Sequence, residues 1–252
     1  MHPRESTGTG GRVRAGDIDT IADLELTASG CELCRLSRDR RMVVRGSGPA
    51  DAAVLVVAEA PGYHEDREGR LLAGRTGECF DGLLADAGLT RDEVFLTSVV
   101  KCRPPTGRTP FPDEVEACEG WLFRELDLVR PRVVLTLGAL ALRLVTGRQE
   151  RLADVHGTML HAQVRGRDVV VWPMLHPGAA VHVPGLLDSL RADARGLGRL
   201  LQGARAEPGA PRAVAGSTAP DPAPVPTPVP TPLPAAAPDS GDDDEPQLSL
   251  GF

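Results

Sequence analysis

The sequence predicts an α/β fold: a three-layer α/β/α domain around a mostly parallel central sheet, followed by a disordered C-terminal tail. Two observations carry this. Short apolar runs rich in β-branched residues recur along the chain, each followed by a segment of helical periodicity, the pattern of successive strand–helix units. Beyond about residue 203 the alternation stops, and residues 204–246 hold twelve prolines among Ala, Thr, Val and Asp.

Residues 1–16 are Gly, Arg, Ser and Thr without periodicity, which predicts a disordered start. Ile18, Ile21 and Leu24 then recur at helical spacing and predict a short helix leading into Cys31. VLVVA at 54–58 reads as the first buried strand, followed by a long loop and a helix near 79–87. VFLTSVV at 94–100 is the second strand, and a Pro-rich loop separates it from a helix at about 113–129. RVVLTL at 132–137 is the third strand, with GALALRLVTG as a short helix after it. TMLHAQV and DVVVWPML, on either side of RGR, predict a hairpin, and a final helix spans 185–202. The folded domain is thus expected over 17–203, a Pro-rich linker over 204–246 and a terminal peptide over 247–252.

The 252 residues carry a formal charge of -7, which taken as a total argues against a polyanionic partner. Its distribution does not: residues 31–203 hold 23 basic and 23 acidic side chains, and the excess acid lies in the two ends. DNA binding through local arginines such as Arg103 and Arg108 stays open. No signal-like h-region or run of eighteen apolar residues occurs, so a cytoplasmic protein without a membrane span is expected. Thiols stay reduced there, and five cysteines read as metal ligands or buried thiols rather than as a disulfide framework.

In such sheets ligands sit beyond the carboxyl ends of the strands. Three loops leave those ends: AEAPGYHED, KCRPPTGRTP and LHPGAAVH. The cysteines make a second constellation. Cys31 and Cys34 form a CxxC, Cys102 lies in the loop after a strand, and Cys118 lies sixteen residues on, in a helix. Four thiolates suit zinc or an iron–sulfur cluster, and spacing alone does not choose between them. Cys79 has no partner in this pattern and reads as a small core residue.

Over roughly residues 20–200 the chain resembles the iron–sulfur, family 4 uracil-DNA glycosylases. The match rests on CELC, AEAPGYHED, GRLLAGRTG, KCRPP with its downstream cysteine, and the LHP loop. The resemblance implies a [4Fe–4S] cluster on Cys31, Cys34, Cys102 and Cys118, with a structural role. It implies DNA containing a damaged base as partner, and a monomeric, monofunctional glycosylase of base excision repair. Such an enzyme needs an extruded nucleotide, a pocket for the base edge and stabilisation of charge on the departing base. Glu59 is then a base-site residue able to position water or the sugar, and His176 can donate a hydrogen bond to the base carbonyl. Glu65 and Asp66 are candidates for loop capping.

Some positions depart from the family. Leu72 in GRLLAG stands where an aromatic residue stacks on the base, a change worth about 1–3 kcal/mol per base. Ser98 in TSVVKC replaces an asparagine whose amide pairs with uracil, and a hydroxyl lacks that bidentate pattern. Gly178 stands in place of serine, Ala58 in place of glycine, and Ala60 where family 1 glycosylases carry an aspartate. These changes leave open a glycosylase for hypoxanthine or xanthine, or a non-catalytic iron–sulfur DNA-binding module. A uracil-crosslinking relative is disfavoured, because CRPPTGRTPF holds no histidine. The last six residues, QLSLGF, resemble the bacterial sliding-clamp-binding peptide, with Gln247 as a polar anchor and Leu248, Leu250 and Phe252 as apolar ones. The linker would tether this peptide over a reach on the order of 100 Å, at roughly 3.1 Å per residue.

Overall fold

The computed structural model describes residues 15–206. At its centre lie β1 (Val54–Ala58), β2 (Val94–Ser98), β3 (Val133–Leu137), β4 (Leu160–Val164) and β5 (Arg167–Met174). They form one sheet in the order β2-β1-β3-β5-β4. Four strands are parallel, and β4 joins β5 antiparallel at the edge. β1, β2 and β3 are buried along their whole length, which is why they read as mostly apolar runs, with Thr97, Ser98 and Thr136 as buried polar exceptions. β4 alternates between buried and exposed positions instead. The hairpin between β4 and β5 turns at Arg165 and Gly166, both at positive φ, the conformation that matches the twist of paired strands.

Alternate strand residues point to opposite faces, and this divides the interior in two. Leu55, Val57, Phe95, Val134 and Val171 pack under α1 (Ile21–Ser29), α4 (Pro112–Val129) and α5 (Ala139–Thr146). Val56, Leu96, Leu135 and Trp172 pack under α3 (Gly74–Asp86) and α8 (Leu187–Ala206). The result is the expected three-layer arrangement. Local signals set the helix ends. Thr20 caps α1 by accepting from the Asp23 N–H, and Pro112 begins α4, where its missing N–H costs nothing.

Three boundaries differ from the sequence expectation. The segments after β1 and β5 contain short helices, α2 (Tyr63–Glu68) and α7 (Pro177–His182). α3 begins at Gly74, five residues before the apolar periodicity becomes visible. β2 ends at Ser98, because the Ser98 hydroxyl bonds the Val100 carbonyl and turns the chain. A third short helix, α6 (Leu152–Val155), precedes β4. Among the described residues no helix is long and apolar enough to cross a membrane. The Pro-rich segment, the terminal hexapeptide and residues 1–14 lie outside the described residues, apart from the last turn of α8.

The strand order has a functional consequence. The chain passes from β1 to β2 on one side, while β3 lies on the other. The sheet therefore changes direction between β1 and β3, and the crevice at their carboxyl ends is where an α/β sheet offers a binding site.

Candidate active site and cysteine pocket

Glu59 leaves β1 at that crevice. Its Oε1 accepts a hydrogen bond from the Leu140 N–H at 2.8 Å, at the start of α5. Gly138, between β3 and α5, makes room for it: a Cβ there would collide with the Glu59 carboxyl, and the backbone sits at φ +101°. Gly138 also donates its N–H to the Met174 carbonyl at 3.0 Å, so one residue links the ends of β1, β3 and β5. Burial pushes the Glu59 pKa up, while the Leu140 N–H and the charge of Arg143 pull it back. A partly desolvated carboxylate held by one oxygen can orient water or a developing cation with the other.

His176 stands two residues after β5 and caps α7. Pro177 fixes the first helical φ, and His176 Nδ1 accepts from the Gly178 N–H at 3.2 Å. Desolvation lowers the pKa of His176 to about 4. The ring is therefore neutral near pH 7, with Nδ1 used as an acceptor, and the proton is carried on Nε2. This makes His176 a neutral hydrogen-bond donor at the carboxyl edge. Gly178 packs between that ring and Thr76 of α3, whose Oγ1 would lie 3.5 Å from a Cβ at 178.

The other expected base-site residues are less open. Ser98 is fully buried, with its hydroxyl turned onto the Val100 carbonyl and its own carbonyl accepting from Lys101 Nζ. Ala60 is half-buried and packs towards the α1–α4 side. Leu72 is 3% exposed and at φ +52°, an unusual conformation for a leucine. Glu65 and Asp66 brace loops: Glu65 accepts from the Gly62 and Ala73 N–H groups, and Asp66 from the Arg41 N–H.

Cys31, Cys34, Cys102 and Cys118 line one small pocket that is partly open to solvent. Ala28, Leu33, Ala117 and Trp121 supply an apolar lining. Two donors point at sulfur: the Lys101 N–H lies 3.3 Å from Cys118 Sγ, and Arg40 Nη1 lies 3.6 Å from Cys102 Sγ. Burial raises the thiol pKa of Cys102 to about 11 and that of Cys118 to about 12. Among the described residues no group of three or more His, Cys, Asp or Glu side chains closes on a single ion. Arg35, beside Cys34, pairs with Asp113 and reaches Glu114 at 3.7 Å, tying the CxxC segment to α4. Cys79 lies apart, packed against the core on the α3 side.

Arg103 stacks on exposed Tyr63 at 5.2 Å, with Arg67 on the same ring at 5.4 Å. Arg108 is committed within the protein. It grips Glu114 with two bonds, at 2.6 and 2.8 Å, and covers the Phe111 ring at 3.8 Å.

Sequence reasoning did not single out Gly138, Leu140 or Arg91. Gly138 was findable as a glycine directly after a strand at the switch point. The Leu140 contribution is a backbone N–H and leaves no trace in residue identity.

Residues 45–194 match the uracil DNA glycosylase superfamily model. The chain is 33% identical over 181 residues to a type-4 uracil-DNA glycosylase of Sulfurisphaera tokodaii, covering 70% of this chain and 82% of the relative. It is 32% identical over 187 residues to a type-4 uracil-DNA glycosylase of Archaeoglobus fulgidus, covering 73% and 94%. With that of Thermotoga maritima the identity is 38% over 148 residues, covering 58% and 76%.

Proposed function

The chain belongs to the uracil DNA glycosylase superfamily, among the type-4 enzymes, and from that membership we propose that it hydrolyses the N-glycosidic bond of uracil in DNA through Glu59 and His176. The observation that carries this reading is the seating of His176, whose Nδ1 accepts from the Gly178 N–H at 3.2 Å. A neutral imidazole with Nδ1 satisfied by Gly178 presents Nε2–H as a fixed donor. As the bond between C1′ and the base nitrogen breaks, its electron pair passes to the base, and Nε2–H stabilises the charge that collects on the carbonyl oxygen. Water adds to C1′ and loses a proton to solvent or base. The Glu59 carboxylate, anchored by Leu140, orients that water or balances the positive sugar.

Around the extruded base, Leu72 gives apolar contact, while Ala60 and the turn at Ser98 shape the pocket. Arg103 on Tyr63 is the better placed of the two expected DNA contacts, since Arg108 is held by Glu114. The four-cysteine pocket suits a [4Fe–4S] cluster: its sulfurs share an apolar cavity with N–H donors aimed at two of them. A cluster there supplies a covalent tie between the segment after α1, the loop after β2, and α4. Zinc is the alternative, since four thiolates suit it as well. A reduced, cytoplasmic setting, a monomeric enzyme and docking of residues 247–252 to a sliding clamp complete the proposal.

Oligonucleotides carrying a single uracil, hypoxanthine or xanthine, treated with the protein and then with alkali, test it. Breaks at uracil are the expected outcome. Breaks only at another base transfer the chemistry to that base, and binding without breaks overturns the enzymatic reading.

A further inference from the structure

The peptide unit joining Leu72 to Ala73 is held at both ends by opposite charges. Arg91, in the turn that enters β2, donates from Nη2 to the Leu72 carbonyl at 2.6 Å and from Nη1 to the Leu71 carbonyl at 3.1 Å. At the other end of the same peptide, the Ala73 N–H donates to Glu65 Oε1 at 3.1 Å. Each grip is itself fixed. Arg91 Nε bonds Asp81 at 2.5 Å, and its guanidinium lies 5.6 Å from the Phe80 ring centre. Glu65 Oε2 accepts from the Gly62 N–H at 3.0 Å, in the loop that carries Glu59.

The arrangement holds Leu72 at φ +52°, where a residue with a Cβ is disfavoured by the contact of that Cβ with its own backbone. It also requires Gly77, because a Cβ there would run into the Leu72 carbonyl oxygen. A conformation that leucine resists, with a glycine cleared for it and two charged groups committed to it, sets where the Leu72 side chain points.

We propose that Arg91 and Glu65 are positioning residues for the base pocket, fixing the Leu72–Ala73 peptide so that the buried Leu72 side chain backs the wall that the extruded uracil meets. This rests on the reading of Leu72 as a wall of that pocket. Glu65 has a second consequence: by bonding Gly62 as well, it locks the wall to the loop bearing Glu59.

Full-length holoprotein carrying Arg91→Lys, Glu65→Gln, both together, or Leu72→Ala tests the proposal in steady-state and single-turnover uracil excision. Lysine keeps the charge but lacks the planar fork that holds both carbonyls and Asp81 at once, and glutamine cannot accept from both N–H groups. Each single variant is expected to lose roughly ten-fold in kcat with little change in KM, since DNA affinity rests mainly on phosphate contacts elsewhere. The double variant is expected to be no worse than the weaker single, because both residues act on one peptide. Hydrogen exchange at the Ala73 amide is expected to accelerate in each. A kcat within about two-fold of wild type, per active molecule, with only a lowered Tm overturns the proposal and leaves a structural brace. If Leu72→Ala is impaired and the Arg91 and Glu65 variants are not, the positioning role alone falls. Unimpaired Leu72→Ala overturns the pocket-wall reading and this proposal with it. Should Arg91→Lys fail to fold, the rate of Glu65→Gln decides between the same outcomes.

Discussion

The carboxyl group of Glu59 lies in the space that a Cβ on Gly138 would fill, and its Oε1 takes the Leu140 N–H two residues further on. Gly138→Ala therefore removes the room for Glu59 and forces a Cβ onto a backbone at φ +101°. The expected result is a fall in single-turnover excision of about ten- to a hundred-fold, with a loss of stability on the order of 1–3 kcal/mol. A folded Gly138→Ala protein with the wild-type rate would place Glu59 outside the chemistry.

The pH dependence should separate the two site residues. Burial raises the pKa of Glu59 above its ordinary 4.5, so excision is expected to fall as pH drops through that raised value. Glu59→Gln should lower the plateau and abolish this acid limb. His176, lowered to about 4, stays neutral over the same range and should add no inflection near its ordinary 6.5. Rate profiles of the wild type and of Glu59→Gln, with NMR titration of the His176 ring, check both. An inflection near 6.5 that disappears in His176→Asn would contradict the neutral state assigned to the ring.

The two outcomes draw on parts of the molecule that were unequally legible in the sequence. The layers, the parallel strands and the hairpin could be read from β1, β3 and β5, because strands covered on both faces are apolar along most of their length. The short helices α2 and α7 could not, since six residues hold too little periodicity and their caps resemble loop residues. Glu59 and His176 were visible as polar residues at strand ends. The use of Ser98 was not, because its hydroxyl has two options, and the choice of the Val100 carbonyl depends on how the chain turns after β2. Arg91 acts through carbonyl oxygens of residues 71 and 72, contacts that long-range folding alone creates.

Serine at each of Cys31, Cys34, Cys102 and Cys118 should lower the iron content and colour of anaerobically purified protein, whereas Cys79→Ser should leave both unchanged. The reason is placement: the first four share one pocket, and Cys79 packs elsewhere. The buried pair should matter most for folding, because replacing Cys102 or Cys118 leaves an N–H or guanidinium donor without its sulfur. Colourless protein holding zinc and no iron would overturn the cluster.

Deleting residues 247–252 should weaken binding to a bacterial sliding clamp by at least about ten-fold while leaving excision on a short oligonucleotide intact. Residues 204–246 separate the peptide from the catalytic domain in sequence, and a short oligonucleotide reads excision without the clamp. Unchanged clamp affinity in a direct binding assay would remove the docking function.

At the junction of α1 and α4, beside the cysteine pocket, Glu25 of α1 is buried against Glu125 of α4, and its Oε2 has no partner. Around them stand Lys101 Nζ, 2.8 Å from Glu125 Oε2, the Thr97 hydroxyl bonded to the same oxygen, and the backbone of Gly46. Two carboxyl groups thus face one ammonium in a closed space. Desolvation first, and the charge of Glu125 second, raise the pKa of Glu25 to about 8, so the pair holds a proton between them. Between pH 4.5 and 8 the folded state keeps a proton that the unfolded chain releases, and stability must fall as pH rises through that window. Glu25→Gln keeps a hydrogen-bonding amide of the same shape and has nothing to titrate. It should match the wild type near the acid end and exceed it at the alkaline end, by on the order of 1 kcal/mol or more. Urea midpoints of both holoproteins across this range, with iron content followed in parallel, measure the difference. A wild-type stability that rises with pH as steeply as the variant's would show that Glu25 is ionised in the folded protein.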